Sequence, residues 1–422
     1  MRRPSLRKSA IASLALLAAG CAGVSQPQSR AEGAHAELDS SQFTRINAAV
    51  NAAIAGRQTP GAVFHLERGG AVYQRAYGRF SYEAGAPDVT PDTVFDAASL
   101  SKVLATAPSI LLLVQSGKLD LEDKLARYFP ECAGAGKEAI TIRQLLTHTS
   151  GLAAGLRAKV DPDGVAWSGD AAALALACAQ PAKHPPGTSF IYSDINYVLL
   201  GQLVRRVSGM PIDEFARQRI FMPLGMKHTG YLPLRRLPAQ RIAPTHRAPV
   251  DGPVAPHGDL PGGATLQGVV HDPTVRRMGG VAGSAGVFST VHDIARYARM
   301  LMKGGELDGV RVLSRESVRL LGTVQTPPGM AALRGMGMDI DSPFAQRPRG
   351  TLFPVGSYGH TGFTGCVLWI DPASGTFYVF LSNRVYPDDK GNVLPLYTEL
   401  GTLSAQAARI AAGPATQAVA RP

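Results

Sequence analysis

The stretch Phe95-Asp96-Ala97-Ala98-Ser99-Leu100-Ser101-Lys102 runs on through Val103, Leu104, Ile110, Leu111, Leu112, Leu113 and Val114 and stops at Gly117. Apolar residues cover nearly every side of this segment, which predicts a helix from Ser99 to Gly117 buried in a large core. Gly117 suits its C-terminal stop. If Ser99 opens the helix, Lys102 lies one turn on, on the same face. A hydroxyl at a helix N-terminus meets partial positive charge and free N–H groups. An amine buried beside an apolar helix is expected to titrate low, so that its neutral form can accept the serine proton. Ser-x-x-Lys alone carries little weight, because the spacing also arises by chance.

Two further groups gain meaning beside it. Tyr192-Ser193-Asp194 follows Pro185-Pro186-Gly187. A phenol between a lysine and a serine can be drawn towards phenolate and shuttle a proton. Standing alone, Tyr192 reads as a surface tyrosine in a turn. His360-Thr361-Gly362 ends a predicted strand, Tyr358–Thr361. A strand edge beside the serine presents a backbone N–H as an oxyanion hole, and Gly362 would let a substrate backbone approach. Standing alone, His360 reads as a satisfied loop histidine.

Phe43, Ile46, Val50 and Ile54 have helical spacing. Ala62–Glu67 and Val72–Tyr77 alternate around Gly69-Gly70 and predict a hairpin. Residues 140–230 alternate short helical patterns with Pro/Gly breaks. Residues 232–275 show little periodicity and are expected to be a long loop excursion. Helical spacing returns at Val291–Met302. A second hairpin is expected from Gly365–Asp371 and Thr376–Ser382, and a terminal helix over Leu396–Ile410. Strands near both ends with helical material between them predict an α/β (α+β) fold: one antiparallel sheet built from both termini, flanked by helices, with an inserted all-helical lobe. A site is expected at the seam of the two lobes.

The order Ser-x-x-Lys, Tyr-x-Asp, His-Thr-Gly resembles the serine β-lactamase and penicillin-binding-protein superfamily, in its class C-like branch. Leu145-Leu146-Thr147-His148-Thr149-Ser150-Gly151-Leu152, Pro223-Leu224-Gly225-Met226, Gly279-Gly280-Val281-Ala282-Gly283 and Gly359–Gly365 extend the resemblance over residues 42–405. Val270-His271-Asp272 and Asp339-Ile340-Asp341-Ser342-Pro343 are similar to penicillin-binding proteins of the 4B type and to muropeptide amidases. The resemblance implies an acyl-enzyme on Ser99, with Lys102 and Tyr192 moving its proton and later activating water. It implies an oxyanion held by the N–H groups of Ser99 and Phe363. His360 and Thr361 would bind a substrate carboxylate or orient Tyr192.

Two residues depart from the penicillin-type pattern. Asp194 stands where an asparagine is usual; it cannot donate to a substrate carbonyl, and is expected to pair with Lys102, keep it charged and shift base duty to Tyr192. His360 stands where lysine is usual, and a neutral imidazole holds a carboxylate less firmly than a permanent cation. Attack on an amide or ester of cell-wall peptide is therefore expected, with weak or no β-lactam hydrolysis. A general carboxylesterase and a non-catalytic penicillin- or muropeptide-binding module are the alternatives. His148 is expected to be structural.

The chain has 422 residues, 45% hydrophobic and 18% charged, which excludes a disordered protein. Its formal net charge of +11 includes Arg2, Arg3, Arg7 and Lys8, while the remaining basic residues are scattered and fit no nucleic-acid motif. Ile11–Ala19 is too short to span a bilayer and follows a basic segment, so residues 1–20 read as a secretory signal. Ala18-Ala19-Gly20 before Cys21 resembles a lipoprotein box. The expected outcome is a periplasmic protein, lipid-anchored at Cys21, with a tether over 21–38, a hydrolase domain over 39–405 and a tail over 406–422. A monomer acting on a small-molecule or muropeptide substrate is expected, without nucleic acid or cofactor. No His-Glu-x-x-His or His-x-His spacing occurs, so no metal is expected. Asp161-Pro162-Asp163-Gly164 reads as a turn. Cys132, Cys178 and Cys366 allow one disulfide of undetermined pairing, although three buried small hydrophobes are the favoured reading.

Overall fold

The computed structural model describes residues 37–156, 167–248 and 262–411. The signal segment, Cys21, most of the tether, the turn at 161–164 and the tail beyond residue 411 lie outside the described residues.

Both expected hairpins form. Strands β1 (Gly61–Arg68) and β2 (Ala71–Gly78) pair through the turn at Gly69-Gly70. The C-terminal half adds β3 (Leu333–Arg334), β4 (Asp339–Asp341), β5 (Tyr358–Gly362), β6 (Cys366–Asp371) and β7 (Thr376–Ser382). They make one antiparallel sheet in the order β2-β1-β7-β6-β5-β4-β3. The two ends of the chain meet where β1 pairs β7, with Phe64 opposite Phe380.

Alternation along the central strands gives the sheet two apolar faces. Phe64, Leu66, Trp369, Tyr378 and Phe380 point to one side, against α1 (Ser41–Ala55) and the terminal helix Leu394–Ala407. Val63, Leu368, Ile370, Val379 and Leu381 point to the other, into the larger core shared with the helical lobe and with Val291–Met302. Glu67 on that second face takes a bidentate ion pair from Arg299 at 2.6–3.0 Å, which fixes Val291–Met302 against the sheet.

Three expectations need correction. The segment after Ser99 is not a regular α-helix throughout. Lys102–Thr106 form a wider π-helical turn before α2 (Ala107–Gln115) resumes. Pro108 stands in that first α-turn, where it has no N–H to give, and the wider turn ends just ahead of it. Residues 232–275 are not without structure where described. They carry helical turns at Pro233–Arg235 and Ala239–Arg241 and a ladder of His246-Arg247 with Thr265-Leu266, elements too short for periodicity to reveal. Cys132 and Cys178 are not buried free thiols but a disulfide, and Cys366 is the buried free one. Among the described residues no helix is long and apolar enough to cross a membrane.

Candidate active site

Ser99 projects from a tight turn. The buried Asp96 carboxylate accepts the Ala98 N–H at 2.9 Å and the His271 N–H at 2.7 Å. It thereby holds Ala98 at φ 45°, a left-handed conformation that costs an alanine about 1 kcal/mol or more and persists only where its surroundings enforce it. Burial pushes the Asp96 carboxyl up, and the two N–H donors oppose that.

Lys102, one turn later, is wholly buried with its ammonium fully engaged. It donates to Ser99 Oγ at 2.9 Å and to the Ser284 carbonyl at 2.8 Å, and meets Asp194 Oδ1 at 2.7 Å. Burial alone would lower this amine. The Asp194 carboxylate and the Tyr192 phenol outweigh it, and Lys102 titrates above its ordinary range. The pairing expected of Asp194 is present and holds the amine charged, where the helix and its burial alone would leave it neutral. The Ser284 carbonyl reaches Lys102 because Gly283 lies against Gly201 and the Tyr197 carbonyl, where a Cβ would sit 2.0 Å from that oxygen.

Tyr192 lies just before α3 (Asp194–Ser208), which Ser193 caps by accepting the Asn196 N–H. Its ring sits 5.2 Å from the Lys102 ammonium and its hydroxyl interacts with Ser99. Burial holds the phenol above its usual range, with the lysine charge pulling the other way. The His148 ring stacks on Tyr192 at 4.4 Å, and its Nδ1 accepts the Ser193 N–H at 3.0 Å. His148 therefore fixes the phenol. A residue the sequence did not single out, Arg334, is also fully buried behind this group. It is ion-paired to Asp339 and lies 5.8 Å from the Tyr192 ring.

The third strip is the edge of β5. Its pairing with β4 stops at Gly359, so the edge from His360 to Gly362 faces the serine turn. His360 is buried and donates through Nδ1 to the Thr361 carbonyl at 2.7 Å. Burial, and then the charges of Arg334 and Lys102, push its imidazole well below the usual histidine range, so it is neutral. Thr361 lines the cavity. Gly362 serves a different contact from the expected one. It is buried, and a Cβ there would meet the Ala97 carbonyl at 2.5 Å, so its bareness lets the strand close on the Ser99 turn rather than admit a substrate backbone. The N–H groups of Ser99 and Phe363 have no protein acceptor among the described residues.

These groups converge on one cavity of about 410 Å³, walled by Ser99, Tyr192, Asp194, His360, Thr361 and Phe363. The end of the 232–275 excursion, Val270 to Pro273, forms part of the wall. Asp272, Ser284 and Arg334 are the site residues that sequence reasoning missed. Asp272 stood within a quoted similarity without a role, and nothing local marks a carbonyl such as that of Ser284.

A family model described as Beta-lactamase matches residues 46–402. A protein of Escherichia coli K12, provisionally named D-alanyl-D-alanine carboxypeptidase, is 33% identical over 350 residues, covering 74% of this chain and 75% of its own. A penicillin-binding-protein homologue from Caulobacter crescentus superposes with a TM-score of 0.65 at 24% identity, over 87% of this chain and 97% of its own. EstCE1, a hydrolase with promiscuous acyltransferase activity, gives 0.64 at 21% identity, over 88% and 99%.

Proposed function

The chain belongs to the beta-lactamase family and is a serine hydrolase, and from that premise we propose that Ser99 forms an acyl-enzyme with the peptide of the bacterial cell wall, in the manner of a carboxypeptidase or amidase. The observation that carries this reading is the Ser99 hydroxyl held 2.9 Å from a charged Lys102, beside Tyr192 and two unengaged N–H groups.

In the reactive form Tyr192 is a phenolate, a minor species because burial favours the phenol, and the adjacent Lys102 ammonium stabilises it. Ser99 Oγ attacks the scissile carbonyl while its proton passes to that phenolate. The N–H groups of Ser99 and Phe363 receive the developing oxyanion. As the C–N or C–O bond breaks, Tyr192 returns the proton to the leaving group. Water then repeats the cycle and frees the acid. His360, being neutral, serves as a hydrogen-bonding group rather than as a counter-ion. The same neutrality favours a second reading, hydrolysis of uncharged esters, which rates on short p-nitrophenyl esters against muropeptides separate. Residues 1–20 and Cys21 support export and lipid anchoring; loss of radiolabelled palmitate in Cys21→Ala tests the anchor.

The experiment is labelling with a fluorophosphonate or a fluorescent penicillin. Label should attach to the wild type and vanish in Ser99→Ala. Label that survives the substitution overturns the assignment of Ser99.

A further inference from the structure

The wall of the Ser99 cavity carries a second cluster of side chains. His246 and His271 are buried and Asp389 is half-buried, and one ligand atom from each lies within 4.8 Å of the other two. His271 Nε2 and Asp389 Oδ1 are 2.9 Å apart.

Each residue is fixed by backbone rather than by the cluster itself. His246 sits on a short ladder opposite Leu266. His271 gives its N–H to Asp96, and its ring stacks on Phe363 at 5.7 Å. Asp389 gives its N–H to the Val385 carbonyl at 2.8 Å. Three separately anchored segments therefore deliver two imidazoles and a carboxylate to one point.

We propose that His246, His271 and Asp389 form a binding site for a divalent transition-metal ion of the zinc class. Two imidazole nitrogens and one carboxylate suit such an ion, whereas magnesium and calcium ask for six or more oxygens. Bonds of about 2.0–2.2 Å place tetrahedral ligands roughly 3.3–3.5 Å apart. One pair stands at 2.9 Å and all three atoms lie within 4.8 Å of one another, a spread that includes that spacing. On binding, the proton shared between His271 Nε2 and Asp389 Oδ1 leaves that bridge by exchange with solvent, and both atoms give lone pairs to the ion.

Among the described residues two imidazoles and one carboxylate supply the ligands. His271 and Asp389 line the same cavity as Ser99. Among the described residues beside Ser99, neither basic group is free for a substrate anion: Lys102 is engaged by Asp194, and His360 is neutral. An ion here places positive charge on the wall and gives a substrate carboxylate a partner. This last consequence rests on the acyl-enzyme reading; the binding of the ion does not. The spacing of histidines along the chain conceals the cluster, since His271 and Asp389 are 118 positions apart.

The test is calorimetric titration of ZnCl2 into the full chain, carrying no polyhistidine tag and stripped with EDTA. The wild type and Ser99→Ala should each bind one ion per chain with the same affinity. His246→Gln and Asp389→Asn should bind at least tenfold more weakly, with circular dichroism matching the wild type. Cobalt(II) added to the stripped wild type should give the visible absorption of a four-coordinate site and should be displaced by zinc. Absence of saturable binding in the wild type, or binding unchanged by both substitutions, overturns the proposal. Label retained in Ser99→Ala would overturn the hydrolase assignment while leaving the zinc titration intact, so the two failures are distinguishable.

Discussion

The Lys102 ammonium, with no solvent exposure, lies 2.7 Å from the carboxylate of Asp194, whose side chain is 41% exposed. One end of the pair is sealed in the core and the other opens on the cavity. Replacing the carboxylate leaves a buried charge without its counter-ion. A fully buried pair broken this way costs about 3–5 kcal/mol. Partial solvation of Asp194 reduces this, and Asp194→Asn should lose about 2 kcal/mol in urea unfolding. Because Lys102 is raised above its unfolded value, its stabilisation is fully present below the ordinary lysine range and fades as pH rises through the folded value. In Asp194→Asn burial lowers the amine with no carboxylate to oppose it, so the variant gains stability as pH rises towards the ordinary lysine range. The wild-type advantage should therefore be largest near neutral pH and shrink in more alkaline solution.

Tyr192→Phe removes the hydroxyl beside Ser99 and keeps the ring stacked on His148. With the phenol as the proton carrier, kcat should fall by about 10²–10⁴ while thermal unfolding stays close to the wild type. A loss below tenfold on the preferred substrate would remove Tyr192 from that role.

His148 is buried, and burial, followed by the charges of Arg334, Lys102 and His360, pushes it well below the usual histidine range. A histidine lowered on folding makes the unfolded chain bind more protons, so stability drops as pH falls below about 6.5. The slope is about 1.4 kcal/mol per pH unit for each such imidazole. Because the slope is only half developed at pH 6.5, the stability difference between wild type and His148→Gln should shrink by about 1 kcal/mol between about pH 6.5 and 5.5, as measured by urea midpoints.

The disulfide Cys132–Cys178 closes a loop with a sequence separation of 46. Loop-closure entropy sets its contribution at about 4 kcal/mol, with typical values of about 2–4. Cys132→Ala with Cys178→Ala should show a loss of that size under oxidising conditions, and no further loss on adding reductant.

Gly362→Ala places a Cβ 2.5 Å from the Ala97 carbonyl. Backbone cannot yield as a flexible side chain does, so β5 must move away from the Ser99 turn. Overpacking of this kind costs about 1–3 kcal/mol. Turnover should fall by more than tenfold, since both oxyanion N–H groups belong to the displaced elements; activity equal to wild type would contradict the close approach.

The sheet was legible in the sequence because β1, β2, β6 and β7 are long enough to alternate and are joined by glycine-marked turns. The motifs carrying Ser99, Lys102, Tyr192 and His360 were legible through their order and setting rather than through any single spacing. The departures have local causes. The π-helical turn after Ser99 is tied to one proline within an apolar run. The ladder at His246 is two residues long and its partner strand follows at Thr265. By contrast, the charge on Lys102 follows the pairing with Asp194 that the second motif suggested, against what burial alone would give. The third-motif glycine was read against the substrate, whereas its neighbour is the protein's own backbone. Asp339 stood in a quoted similarity, but its pairing with Arg334 was not legible, because a buried ion pair has no period.

The most direct measurement is intact-protein mass spectrometry after incubation with a muropeptide digest, followed by peptide mapping. The expected result is a mass increase equal to one acyl fragment, confined to the peptide containing Ser99, and absent in Ser99→Ala. An adduct on another residue, or turnover of the digest by Ser99→Ala at the wild-type rate, would contradict catalysis by the Ser99–Lys102–Tyr192 group.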